Sequence, residues 1–248
     1  MASDSASPVA SKKIFMPDGI GFVELLDVFG DDLTVVNAAR VSFDKVSESL
    51  TEADKKLIRY LAKHEHTSPF FHPQVRLRIK MPIFVVREHF RSQAGLSRNE
   101  VSRRYYSGPV ECWVPAVEDL REKDKNIKQG SKETPIDGAQ EVHDVIAEHI
   151  AGTVGLYESL LSKGVAPEIA RAVLPQSMYT EFIETGSLAA MARICHLRLG
   201  AGAQKEIRDY ASAISSVMAD AFPVSWDALR SCDEPVVHKI DNAPSSSS

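Results

Sequence analysis

Residues Val85–Tyr106 read VVREHFRSQAGLSRNEVSRRYY, a run that holds five arginines, two carboxylates and three serines. Arginine presents a rigid fork of N–H donors that matches phosphate oxygens in pairs, so such a run is suited to holding an anion. Ser97 and Ser102 add neutral donors. Glu100 stands two residues before Ser102, and a carboxylate beside a phosphate is costly unless it accepts a specific hydrogen bond. A sugar hydroxyl or a ring N–H supplies one. The run therefore points to a phosphorylated, hydroxyl-bearing ligand, most simply a nucleotide. The competing reading is a solvated face laced with salt bridges.

Working outward, the 248-residue chain is long enough to bury a substantial core, and its 44% apolar and 25% charged residues are those of a globular protein. No apolar run approaches the length of a membrane span. The N-terminus, MASDSASPVASKK, lacks the apolar core of a signal peptide, so a cytoplasmic location is expected. Residues 1–13 and 233–248 are rich in small polar residues and read as disordered tails around a single domain over 14–232. A net charge of −5 argues against a general nucleic-acid binder, although Tyr105 and Tyr106 beside the arginines would suit base stacking. Cys112, Cys195 and Cys232 are too scattered for a disulfide framework or a thiolate zinc site.

Along the chain, Phe22–Phe29 reads as a strand and residues 33–43 as a short helix. Thr51, with Asp54 three residues on, caps a helix carrying Leu57, Leu61 and His64 on one face. The cluster His64, His66, His72 fits no common metal spacing, so no metal is expected. VRLRIK (75–80) alternates as a half-buried strand. Pro82 suits the first turn of the next helix, so the arginine run begins on a helix and ends in an irregular loop. Residues 107–138 form a polar surface excursion, and 140–162 an amphipathic helix for core or subunit contact. Pro167 opens a short helix containing Arg171, MYTEFI reads as a strand, and Ser187 caps a helix that carries Arg198 in its last turn.

The run resembles the signature of the flavin-dependent thymidylate synthases, Arg-His-Arg, two spacers and Ser, leading to Asn-Glu, any residue, Ser, any residue, Arg-Tyr. Asn99, Glu100, Ser102, Arg104 and Tyr105 match its second half; Arg91 and Ser97 match the first, with one extra spacer residue. The histidine segment and the stretches ARAVLP, MYTEF, LRL and AQKEIRDYA are also similar to that family, so the resemblance spans about 22–230. It implies an α/β fold with a mainly antiparallel sheet flanked by helices, and a homotetramer with sites at subunit junctions.

The resemblance further implies reductive C5-methylation of a uracil nucleotide, with methylenetetrahydrofolate as carbon donor and NADPH-reduced FAD. Arg198 becomes the catalytic arginine that stabilises negative charge on the uracil ring. The nucleotide falls to Glu88, Arg91, Glu100, Ser102, Arg103, Arg104, Arg198 and a neighbouring subunit's copy of Arg171. The flavin falls to His66, Ser68, Arg91, Ser92, Gln93, Asn99, Glu100, Ser187 and Arg193. This shell departs from the family: Ser92, Gln93, Phe71, Ser187, Ala189, Arg193 and Gly202 replace its usual polar residues. Glu88 stands where the family has glutamine, and its spare acceptor capacity would admit UMP as well as dUMP. A diverged protein that binds nucleotide or nucleic acid without catalysis is the alternative.

Overall fold

The computed structural model describes residues 12–106, 108–123, 131–200 and 202–231. Almost all of the two expected tails, and Cys232, lie outside the described residues. Lys12 and Lys13 are exceptions: Lys13 opens the first strand and Lys12 pairs with Asp220.

Strands β1 (Lys13–Phe15) and β2 (Phe22–Phe29) precede helices α1 (Asp32–Arg40) and α2 (Glu52–Lys63). Strand β3 (Gln74–Pro82) runs directly into α3 (Ile83–His89), and β4 is Leu96–Glu100. A small hairpin, β5 (Arg121–Lys123) with β6 (Ser131–Pro135), occupies part of the polar excursion before α4 (Ala139–Ser162) and α5 (Pro167–Ala170). Strand β7 (Tyr179–Ser187) and helices α6 (Leu188–Leu199), α7 (Lys205–Ala221) and α8 (Pro223–Ser231) complete the order. The expected antiparallel sheet forms in the order β1-β2-β3-β7-β4, every neighbouring pair antiparallel.

The two sheet faces differ as period-two alternation requires. On β3, Val75, Leu77, Ile79 and Met81 are buried against residues of α2, α6, α7 and α8. The opposite face carries Arg76, Arg78 and Lys80, paired with Asp27, Glu181 and Glu111. Helix α2 begins on a reciprocal capping box between Thr51 and Asp54. The Thr51 hydroxyl lowers the pKa of Asp54 against the opposing effect of burial, and Arg40 pairs with the same carboxylate. Helix α4 buries little beyond Ala139 and Tyr157, and it leaves Val145 and Leu156 exposed. No helix among the described residues is long and apolar enough to cross a membrane.

Three local expectations need correction. Pro82 is extended, closing β3 and preceding α3 as its N-cap, because a residue without an N–H is tolerated where the ladder ends. His64 ends α2 as its C-cap rather than extending the helix's apolar face. Most important for the site, the signature does not pass from helix to loop alone: a turn over 90–95 leads from α3 into Leu96–Glu100, which forms the edge strand β4, and 101–106 is irregular again.

Candidate active site

Two elements far apart in sequence meet at the start of the signature. Arg198, in the last turn of α6, reaches α3 and donates through Nη1 to the Glu88 carboxylate. Its Nη2 donates to the Glu88 backbone carbonyl at 2.8 Å. The guanidinium is thus held twice by one residue, while its Nε is buried without a partner. Glu88, assigned from the sequence to the sugar, spends one carboxylate oxygen on Arg198 instead.

A cavity of about 660 Å³ is lined by Glu100, Arg103 and Arg171, together with Arg78, Lys80, Tyr106, Tyr179 and Thr180. Arg171, in a one-turn helix after α5, lines its own chain's cavity. Glu100 accepts the Thr180 hydroxyl at 2.7 Å, which uses one oxygen and leaves the other. Arg103 is committed to the loop, donating to the carbonyls of Gly108 and Pro109. Arg104 is exposed, with its guanidinium 5.2 Å from the Tyr105 ring centre, and its backbone N–H donates to the Ser102 hydroxyl at 3.3 Å. An open groove of about 570 Å³ that Glu100 also lines gathers Arg91, Gln93, Arg87 and Phe90.

His66 and Ser68 lie apart from these, in a groove of about 780 Å³ between α1 and α2 that Arg40, Ser42, Phe43, Leu57 and Tyr60 also line. Tyr60 packs against the His64 ring at 4.3 Å between centres. Three residues assigned to the flavin are taken up by the chain itself. Ser92 is buried. Ser187 caps α6, its hydroxyl accepting from the Ala190 N–H at 3.2 Å. Arg193 donates to the Ala94 carbonyl. Asn99 is exposed on β4. Gly95, with φ +78, lets this loop press on α6; a Cβ there would sit 3.2 Å from that of Ala190.

Comparison with known proteins fixes the lineage. Residues 24–224 match the family model described as thymidylate synthase complementing protein. The flavin-dependent thymidylate synthase of Kosmotoga olearia is 42% identical over 210 residues, covering 84% of this chain and 90% of that one. This chain belongs to the flavin-dependent thymidylate synthase family. The Thermus thermophilus enzyme of that name is 40% identical over 209 residues, 84% of this chain and 75% of its own. Among solved structures, the UMP/dUMP methylase PolB from Streptomyces cacaoi bound with 5-Br dUMP matches at a TM-score of 0.74 and 32% identity, over 84% of this chain and 94% of that one. With 5-Br UMP bound, the match is 0.75 and 33%, over 85% and 94%.

For a flavin-dependent thymidylate synthase, the cysteines matter by where they lie. Cys195 is fully buried in α6 with its sulfur 3.5 Å from the Ala211 carbonyl, and burial pushes the thiol of half-buried Cys112 up. Neither is an exposed thiolate. No group of three or more His, Cys, Asp or Glu side chains that could hold a metal ion occurs among the described residues.

Sequence reasoning missed one group inside the signature. Glu184 on β7 is fully buried, and its carboxylate receives Nε2 of His89 at 3.0 and 3.1 Å and Nε of Arg98. Burial alone would raise its pKa; the charges and hydrogen bonds of His89 and Arg98 outweigh that and hold it below the ordinary value. A signal existed: in YTEFIETGS, Glu184 shares the core-facing parity of Thr180, Phe182 and Gly186.

Proposed function

We propose that the chain methylates a uracil nucleotide at C5, taking dUMP and also UMP, with methylenetetrahydrofolate as carbon donor and NADPH-reduced FAD. The observation that carries this reading is Arg198 brought from α6 onto Glu88 of the signature helix, 110 residues away in sequence. C5 of uracil is a weak nucleophile, and cysteine-dependent synthases activate it by adding a thiolate to the ring. The burial of Cys195 disfavours that route. Arg198 instead stabilises negative charge on the N3 and O2 edge of the ring, its orientation set by the two contacts to Glu88. Arg171, Arg104 and Ser102 hold the phosphate, Glu100 the sugar or ring N–H, and Arg91 lies between nucleotide and flavin.

The flavin fits residues that are present. The groove at His66 and Ser68 is within the usual size of a cofactor site and combines aromatic walls at Phe43 and Tyr60 with the cation Arg40. Gln93, Asn99 and Arg91 are exposed and lie outside that groove. When bound, reduced flavin supplies the hydride that turns the transferred one-carbon unit into a methyl group. Two oxygens on Glu88, only one given to Arg198 through a side-chain bond, support a site that tolerates a ribose 2′-hydroxyl. That PolB has been captured with both 5-Br dUMP and 5-Br UMP favours the same breadth. A homotetramer is supported by the exposed apolar residues Phe43, Val145, Leu156 and Ile169. The test is product analysis: each nucleotide is incubated with methylenetetrahydrofolate, NADPH and FAD. C5-methylated product from dUMP supports the function, and product from UMP supports the breadth.

A further inference from the structure

A buried carboxylate is expensive unless every charge is met, so a fully buried Glu184 demands an account. Its two partners come from the two halves of the signature. His89 is the last residue of α3, between Glu88 and Arg91. Arg98 lies on β4 directly opposite Glu184 in the ladder, immediately before Asn99 and Glu100. Between them runs the stretch Arg91–Gly95, which is mostly exposed. Nδ1 of His89 and Nη2 of Arg98 are buried without hydrogen-bond partners, so the polar anchoring of the ring rests on Glu184.

The surrounding packing leads from this cluster to the groove. Phe90 meets Phe182 edge-on at 4.9 Å, and the Arg98 guanidinium lies 4.6 Å from the Phe90 ring centre. Phe90 also lines the groove that holds Arg91 and Glu100. Because side chains alternate along a strand, fixing Arg98 on the core face turns Asn99 to the opposite face and returns Glu100 to the Arg98 side.

We propose that Glu184, His89 and Arg98 are positioning residues: one buried carboxylate clamps the helical half of the signature to its strand half and so sets Arg91 relative to Glu100. The clamp touches neither nucleotide nor flavin. Its effect on methylation rests on the function proposed above, whereas its effect on the loop does not. An isosteric apolar replacement of a buried ion cluster is often neutral for stability, which separates positioning from mere cohesion.

The experiment compares His89→Gln, which keeps an N–H for Glu184, with His89→Leu, which keeps bulk and no donor, alongside the triple variant His89→Phe, Arg98→Leu, Glu184→Leu. Melting temperature, hydrogen exchange over residues 91–95, nucleotide Kd, and kcat against KM are read on the full chain. A clamp predicts that the triple variant melts close to wild type yet loses about 10- to 100-fold in kcat/KM, with faster loop exchange. It also predicts that His89→Gln retains most of what His89→Leu loses. Wild-type loop exchange and kinetics in the folded triple variant would overturn the clamp, and so would equal behaviour of the Gln and Leu variants. Should the triple variant not fold, the Gln and Leu pair decides alone. A wild-type protein without methylation activity would remove the proposed function and leave loop exchange to decide the clamp.

Discussion

Some of the arginines assigned to the nucleotide and some of the residues assigned to the flavin occupy opposite situations in the folded chain. Arg91, Arg104 and Arg171 are exposed, and Arg91 and Arg171 line cavities that share Glu100. By contrast, Ser92 is buried, Ser187 is spent on the cap of α6, and Arg193 is spent on the Ala94 carbonyl. A donor already satisfied by its own backbone cannot serve a ligand without giving up that bond, a cost of about 1 kcal/mol or more. The contrast separates side chains left open to a ligand from side chains already held by the chain itself. The polar residues that changed now shape the loop and helix around the site.

The contrast can be broken at its strong end first. Arg198→Ala should lower kcat by about 100- to 1,000-fold while leaving measurable nucleotide binding, because it removes the donor aimed at charge formed during reaction. Arg198→Lys, which keeps a cation near Glu88, controls for the lost ion pair. Arg171→Ala should weaken nucleotide binding by about 2 kcal/mol, the scale of a hydrogen bond to a charged group, with flavin content unchanged by absorbance. If flavin is lost instead, the two regions are not separable as described.

Smaller effects sharpen the comparison. Glu88→Gln should shift the ratio of UMP to dUMP turnover toward dUMP by about tenfold, since the amide keeps one acceptor for Arg198 and loses the spare one. An unchanged ratio would remove Glu88 from sugar selection. Ser187→Ala should cost about 1 kcal/mol of stability, read as a lower Tm, from the missing helix cap. Flavin affinity should stay close to wild type; a large loss would place Ser187 back among the cofactor ligands.

Much of the frame was legible because local chemistry decides it. Phe22–Phe29 is a strand with the bounds its composition implies, and Thr51 and Ser187 cap the helices they precede. What stayed hidden depends on distant partners. LSRNE shows no apolar alternation, and it becomes β4 because β7 offers it an open edge. Helix α8, PVSWDALRS, is short, and Asp32 of α1 receives its backbone N–H groups at Val224 and Ser225. The site was legible as a set of residues, through the signature, but not as an arrangement. That Glu88 faces Arg198, or that Arg193 turns to a carbonyl, follows from contacts across the sheet and helices that no spacing encodes.

The central claim is that reduced flavin supplies the hydride and that no enzyme thiolate is needed, and the folate product tests it most directly. If the flavin supplies the hydride, methylenetetrahydrofolate gives up only its one-carbon unit and leaves as tetrahydrofolate. If the folate itself supplied the hydride, it would leave as dihydrofolate. A single turnover of the NADPH-reduced, FAD-loaded protein with dUMP, quenched and resolved by chromatography, should yield dTMP and tetrahydrofolate in equal amounts, and Cys195→Ala should do the same. Dihydrofolate as the product, or methylation abolished by Cys195→Ala, would contradict the account.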